Sequence, residues 1–323
     1  MLKTRVSVLR GGPSSEYDVS LVTGAGVLVS LQNLGYHTED IMITKRGEWL
    51  VNGRVKSPES ALSTTDVVFI AMHGAYGEDG GVQKICERLH IPFTGSNSFP
   101  SSIAFNKDTT KRVLQNYPVK VPKHVRVRKA DDQNLSTLTA AVIASFGPEY
   151  VLKPTMSGSS HGVVMVSGDA DLEAALMVMF DRYDEFMIEE RIRGVEATCG
   201  VIENFRNQSL YSFPPIEIIP PNSHDFFAAD VKYTGATTEI CPGRFSFSEN
   251  ATLIETALAV HQALNLSHYS RSDFMVRAGE VYFLEVNTLP GLTPQSLLPK
   301  AAQAVGLSYD QLINHLVTTA NVG

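Results

Sequence analysis

Residues 269–288 read Tyr-Ser-Arg-Ser-Asp-Phe-Met-Val-Arg-Ala-Gly-Glu-Val-Tyr-Phe-Leu-Glu-Val-Asn-Thr, two alternating runs joined at Ala278-Gly279-Glu280. A short glycine-bearing link between two period-2 runs specifies an antiparallel hairpin. That pairing sets Arg271 opposite Asn287 and Asp273 opposite Glu285. Successive strand side chains alternate sides, so these four polar groups share one face. Phe274, Val276, Tyr282, Leu284 and Val286 make up the other face, which a core would cover. Two carboxylates and an amide oxygen beside a guanidinium form a hard oxygen site suited to Mg²⁺. A surface ladder of paired charges accounts for the same pattern equally well, and the hairpin alone does not separate the two.

The N-terminal part alternates strand and helix. Residues 5–9, 37–43, 66–72 and 91–94 read as strands, and 16–34 and 81–89 as helices. The nearly all-apolar run 66–72 suits a parallel strand covered on both faces, so this part is an open α/β layer. A second region reads as helix 102–115, strand 121–127, helix 135–146, strand 150–153, a Ser/Gly-rich stretch 155–162, helix 169–180 and strand 185–190. A third carries strands near 197–202 and 210–219, an irregular stretch 220–238 bounded by prolines, helix 249–264, the hairpin, and helix 309–318. An irregular stretch that long is either a functional lid or disordered.

At 323 residues, with 43% apolar and 19% charged side chains, the chain can bury the cores of two or three ordinary globular domains. A net charge of −7 speaks against a general nucleic-acid-binding surface but leaves room for a local basic pocket. Cys86, Cys199 and Cys241 are far apart and match no zinc spacing, which points to a reducing cytoplasm. No signal-peptide pattern and no apolar run of membrane-spanning length is present.

Gly11-Gly12-Pro13-Ser14-Ser15-Glu16 lies between the first strand and first helix, where backbone N–H groups attract anions and Glu16 could bind an ammonium. It also reads as a tight turn with Ser15 as helix cap. His73-Gly74-Ala75-Tyr76-Gly77-Glu78-Asp79-Gly80-Gly81 sits past the carboxyl end of an apolar strand, where open α/β sheets bind ligands. Lys153 leads into Pro154-Thr155-Met156-Ser157-Gly158-Ser159-Ser160-His161-Gly162, a loop able to wrap phosphates. Neither a P-loop nor a dinucleotide fingerprint occurs, which disfavours an NAD-type dehydrogenase. Taken singly, Lys232-Tyr233 and the glutamates 189, 190 and 196 around Arg193-Gly194 read as solvated charges.

In this order and spacing the segments resemble the D-alanine–D-alanine ligases of the ATP-grasp superfamily, over nearly the whole chain. Gly11–Leu21, His73–Gly81, Lys107, Lys153–Gly162, Glu189 with Glu196, Lys232-Tyr233 and 271–297 carry the resemblance. It implies an α/β fold of three-part ATP-grasp architecture, an N-terminal open parallel sheet followed by two α+β parts gripping ATP. The implied parts are a substrate-binding domain (1–96), a central subdomain (97–190) and a C-terminal catalytic domain (191–323). The resemblance implies that Lys107, Lys153 and Ser160 serve the ATP phosphates, and that Lys232, also among the ATP-binding residues, closes over the site with Tyr233. Main chain from Glu189 through Glu190 to Ile192 would meet adenine, and Glu196 the ribose. Asp273, Glu285 and Asn287 would hold two Mg²⁺, with Mn²⁺ as substitute.

The implied reaction turns the first D-alanine into an acyl phosphate, which the amine of a second D-alanine attacks. Glu16 would take the first ammonium, with His73 near that carboxylate. Arg271 and the Gly291 N–H would stabilise the oxyanion, and Ser296 and Leu297 would receive the second carboxylate. Tyr233 would close over the site, hydrogen-bonded with Ser159 and Glu16. A cytoplasmic homodimer without nucleic-acid or membrane partners is the implied setting. Asn106, Ser157, His161 and Tyr17-Asp18 depart from the family pattern, which bears on loop dynamics and turnover. The competing readings are a ligase for D-serine or D-lactate as second substrate, and a nucleotide-binding module without ligase activity.

Overall fold

The computed structural model describes residues 4–131, 134–159, 161–221 and 237–320. Among these residues the chain forms three β-sheets. The first contains β1 (Arg5–Gly11), β2 (His37–Ile43), β3 (Trp49–Val51), β4 (Arg54–Lys56) and β5 (Val67–Ile70), in the order β4-β3-β2-β1-β5. β1 runs parallel to both β2 and β5. The helices α1 (Tyr17–Asn33), α2 (Pro58–Ala61) and α3 (Gly81–Leu89) complete this part. β3 and β4 are an antiparallel edge hairpin turning at Asn52-Gly53, whose φ values of 51° and 73° suit a primed turn. The expected strand at 91–94 is reduced to a single bridge, Val68 with Phe93. Pro92 has no N–H to donate, and Gly95 at φ 99° turns the chain away.

The helix expected over 102–115 is two helices, α4 (Ser98–Phe105) and α5 (Lys107–Leu114). Asn106 breaks them: its backbone is extended, and its side-chain oxygen accepts from the Thr109 N–H at 2.9 Å, capping α5. This break makes Lys107 the first residue of a new helix. The second sheet follows, with β6 (His124–Arg128), α6 (Leu135–Phe146), β7 (Glu149–Pro154), β8 (Val164–Ser167), α7 (Asp169–Arg182) and β9 (Glu185–Glu190). Its order is β6-β9-β7-β8 and every pairing is antiparallel. Leu138, Val142, Leu172 and Leu176 of α6 and α7 pack on Tyr150, Leu152, Phe186 and Ile188 as a separate core.

The third sheet has β10 (Val195–Phe205), β11 (Gln208–Ser212), β12 (Ile216–Ile219), β13 (Thr238–Ile240), β14 (Tyr269–Arg277) and β15 (Glu280–Asn287). Its order is β13-β12-β10-β14-β15, with β11 on β10. α8 (Phe247–Ala263), opened by a Ser246–Glu249 capping box, lays Leu253, Ala257 and Val260 on Ala197, Phe274 and Phe283. Ala104 and Leu114 from α4 and α5 join that same core. The last helices, α9 (Leu297–Ala304) and α10 (Tyr309–Thr318), share a core with the N-terminal layer through Leu298, Leu312, Leu316, Val27 and Leu31. Ser30 also donates to Asp310 at 2.6 Å and Tyr36 to Asn314 at 2.8 Å, so the first and third parts are locked together.

The β14–β15 hairpin pairs Arg271 with Asn287 and Asp273 with Glu285, as its alternation predicts. Two details differ. The turn holds two residues, Ala278 and Gly279 at φ 52° and 82°, and not three. A bulge just past Asp273 makes up the difference, so Phe274 faces Phe283 and Leu284 is the extra residue. The core face is therefore Phe274, Val276, Val281, Phe283 and Val286. Leu284 moves to the other side and lines a cavity beside Glu285, while Tyr282 bonds Arg277 and Glu280.

Candidate active site

A cavity of about 240 Å³ opens between the second and third sheets. Part of its lining is apolar: Val151, Val163, Met165, Ile192, Met275 and Leu284. Its charged lining includes Lys107, Lys153, Asp273 and Glu285. Glu190, Arg191 and Glu196 line it as well. A cavity that joins apolar surface to lysines and carboxylates has the mixed polarity a nucleotide needs, apolar for a base and charged for phosphates. Apart from Ile192, the apolar lining residues escape the sequence reading, because Val, Met and Leu on or beside strands look like ordinary core.

Each charged group is held by an identifiable neighbour. Lys107 donates to the Ser157 carbonyl at 2.5 Å and lies 3.1 Å from Glu285. Its own N–H is bound by the Thr155 carbonyl at 2.9 Å, which ties α5 to the loop after β7. Lys153 lies 2.7 Å from one oxygen of Glu189, and Lys111 holds the other oxygen. Burial alone would raise the Glu189 carboxyl, but the two lysines draw it well below the carboxylate range. Glu190 accepts from the Lys123 N–H at 2.9 Å, which ties the end of β9 to the chain entering β6.

Asp273 is gripped from three sides. Arg271 forks onto its two oxygens at 3.0 and 2.9 Å. Thr198 donates to it at 2.6 Å and the Asn287 amide at 3.3 Å. Among the described residues no three His, Cys, Asp or Glu side chains converge as a metal cage. Two carboxylates and an amide on neighbouring strands nevertheless fit a hard cation that completes its shell with phosphate oxygens and water, as Mg²⁺ does.

At the carboxyl ends of β1 and β5 lies a second group. Glu16 occupies the N-cap position of α1, yet its side chain makes no capping bond, and Ser15 is not the cap. Its carboxylate is buried between glycines: a Cβ on Gly158 would come within 2.4 Å of it, and one on Gly74 within 2.8 Å. Glu78, absent from the residues picked out by sequence, accepts from the Gly74 N–H at 2.8 Å. Burial and the nearby Glu16 raise the Glu78 carboxyl far above the ordinary carboxylate range.

His73 is expected near a substrate carboxylate, but both ring nitrogens are committed. Nδ1 donates to the Leu289 carbonyl at 3.0 Å, which leaves Nε2 to accept from Thr23 at 2.9 Å. Burial pushes its pKa down to about 4 from the ordinary 6.5. Between those values the unfolded chain binds a proton that the folded chain does not. Stability is therefore complete above the upper value and falls as pH drops through the window, by up to about 3 kcal/mol. Between about pH 7 and pH 5, a His73→Gln variant should lose less melting temperature than the wild type. An equal loss in both would show that His73 does not titrate this way.

Leu289 leads into Pro290 and Gly291. A Cβ on Gly291 would meet the Ser296 hydroxyl at 2.9 Å, so the structure brings these two expected residues together. Ser296 is the N-cap residue of α9, its hydroxyl is bonded with Thr293, and Leu297 is buried behind it. Ser159 has a positive φ of 49° in the loop beside Glu16. Ser160, Lys232 and Tyr233, with most of 220–238, lie outside the described residues.

The family model for the D-ala D-ala ligase C-terminus matches residues 113–318, and that for the D-ala D-ala ligase N-terminus matches residues 51–96. A D-alanine–D-alanine ligase of Leptospira interrogans is 32% identical over 97% of both chains. A solved D-alanine–D-alanine ligase from Bacillus anthracis, complexed with ATP, superposes with a TM-score of 0.80 at 30% identity, covering 98% of this chain and 97% of that one. The VanG D-Ala:D-Ser ligase from Enterococcus faecalis superposes with a TM-score of 0.82 at 27% identity, covering 98% and 99%.

Proposed function

The chain belongs to the D-alanine–D-alanine ligase family, and from that premise we propose that it joins two D-alanines into D-alanyl-D-alanine, a peptidoglycan precursor, converting ATP to ADP and phosphate. The observation that carries this reading is the mixed lining of the cavity, apolar at Val151, Met165 and Leu284 and charged at Lys107, Lys153, Asp273 and Glu285. Adenine fits the apolar lining and the triphosphate the charged lining, with Glu196 for the ribose hydroxyls. Asp273, Glu285 and Asn287 would hold two Mg²⁺, or Mn²⁺ in their place, which when bound offset phosphate charge.

In the first step a carboxylate oxygen of the first D-alanine bonds to the γ-phosphorus, and the bond to ADP breaks. Lys107 and Lys153 balance the charge that moves. Glu16, in its glycine-walled niche, holds the substrate ammonium. In the second step the amine of the other D-alanine attacks the acyl carbon, loses a proton, and phosphate departs. Arg271 and the Gly291 N–H supply fixed donors for the oxyanion. His73 serves that step through Leu289, whose carbonyl it anchors, and Ser296 with Leu297 at the start of α9 receives the second carboxylate. Three free cysteines suit a reducing cytoplasm, and no helix among the described residues is long and apolar enough to cross a membrane. The implied homodimer is read by light scattering.

The test is phosphate release from ATP with D-alanine, D-serine, D-lactate and L-alanine, singly and paired, with product masses measured. D-alanyl-D-alanine should dominate. A dominant D-alanyl-D-serine or ester product would overturn the choice of second substrate, and no release with any of them would overturn the ligase reading. Gly158→Ala tests the niche separately. The added methyl displaces the Glu16 carboxylate, and a misplacement of that size costs about 10²-fold in efficiency. The loss should appear with the first D-alanine, while ATP affinity and melting temperature stay near wild type. Unaltered efficiency would remove Glu16 from substrate binding.

A further inference from the structure

Helix α5 carries a second lysine one turn beyond Lys107. Residues four apart share a helix face, so Lys107 and Lys111 both project toward the cavity, but they end in different places. Lys107 reaches the wall beside Glu285. Lys111 stops behind it, fully buried, with its ammonium on one oxygen of Glu189. The other oxygen of Glu189 takes Lys153 at 2.7 Å, and Lys153 does line the cavity. One buried carboxylate thus sits between two ammonium groups, and the three together carry one net positive charge.

The order of these groups matters once an anion enters. With Lys153 as its sole partner, Glu189 would form a neutral pair with it. Drawing Lys153 toward a phosphate would then strip a buried carboxylate of its counter-ion, which is strongly unfavourable. With Lys111 behind it, Glu189 stays compensated wherever Lys153 goes. We propose that Lys111 is a positioning residue for ATP: it holds Glu189 from the rear and so leaves the Lys153 ammonium able to serve the triphosphate. This rests on the reading that Lys153 meets the ATP phosphates. Burial lowers the Lys111 pKa only to about 8, which keeps its charge near neutral pH.

The experiment compares affinities for Mg²⁺-ATP and for adenosine in the full-length wild type, Lys111→Met, Glu189→Gln and the double variant, by calorimetry. Adenosine reports the base and ribose contacts, so the ratio of the two affinities isolates the phosphates. In Lys111→Met the preference for ATP should fall by about tenfold or more, the scale of a counter-ion lost from a buried charge, with adenosine affinity nearly unchanged. Adding Glu189→Gln removes the carboxylate that traps Lys153, and the preference should return to near the wild-type value. An unchanged preference in Lys111→Met overturns the proposal. So does an equal loss of adenosine and ATP, which would mean support of the fold only, and so does a double variant that fails to recover. Should Lys111→Met not fold, the double variant and Glu189→Gln still decide. Equal preferences in those two are expected, and a further tenfold loss in the double variant would show that Lys111 acts on phosphate directly. A wild type with no preference for ATP over adenosine would instead overturn the phosphate assignment of Lys153.

Discussion

Glu285→Gln is expected to lower turnover by about 10³-fold while leaving the fold intact. Glu285 stands opposite Asp273 on β15, on the cavity side of the hairpin. Its carboxylate is partly exposed and lies 3.1 Å from the Lys107 ammonium. Glutamine has the same length and volume, so packing is preserved, and Lys107 keeps its bond to the Ser157 carbonyl at 2.5 Å. What disappears is one of the two negative charges offered to Mg²⁺. Charge stabilisation by such an ion is worth several kcal/mol in the transition state, hence the size of the expected loss. Lys107 is at the same time released toward phosphate, so ATP affinity measured with EDTA should hold or rise. The signature is a split: normal melting, intact nucleotide binding, a collapsed rate, and a Mg²⁺ requirement displaced to higher concentration. Near-normal turnover at ordinary Mg²⁺ would defeat the metal assignment.

Parts of this site are legible in the chain before any coordinates, for a physical reason. Strand alternation has a period of two, so residues two apart must share a face, and Arg271, Asp273, Glu285 and Asn287 fall into place from their numbers. The bulge past Asp273 leaves no such mark. It exchanges Tyr282 and Leu284 for Val281 and Phe283 on the core face, because a two-residue primed turn at Ala278-Gly279 shifts the pairing that the bulge then restores. The break at Asn106 is hidden because helix-compatible residues continue on both sides of it, Ile103-Ala104-Phe105 before and Lys107-Asp108-Thr109 after, and a capping asparagine among them looks like any polar helix residue. Asn52-Gly53 is the opposite case, a strong hairpin signal that the strand–helix alternation of the N-terminal part passes over. Lys111 and Glu78 are invisible for another reason. Their importance comes from burial beside Glu189 and Glu16, and long-range burial of a charge has no local sequence signature.

Arg271→Met is expected to reduce dipeptide formation by about 10²–10³-fold, the usual cost of one oxyanion donor. Arg271 sits on β14 at the pair with Asn287, and its guanidinium is fixed by the fork onto Asp273 at 3.0 and 2.9 Å. A donor already locked in place needs no reorganisation when charge develops on the acyl oxygen, which is why it is effective. Asp273 retains Thr198 at 2.6 Å and the Asn287 amide in the variant, so the metal face is not dismantled. Lysine should not rescue, since one ammonium cannot reproduce a planar two-point grip. The two steps of the reaction then separate. Formation of the acyl phosphate scrambles label between bridging and non-bridging positions of ATP when only the first D-alanine is bound. That exchange depends on the charged lining of the cavity, at Lys107 and Lys153, and should persist in Arg271→Met, while attack by the second amine, whose tetrahedral oxyanion has lost its donor, should not. If exchange and dipeptide formation fall together, Arg271 acts before the acyl phosphate forms. If neither falls, it is no oxyanion donor, and the Gly291 N–H held by the His73–Leu289 contact carries that charge without it.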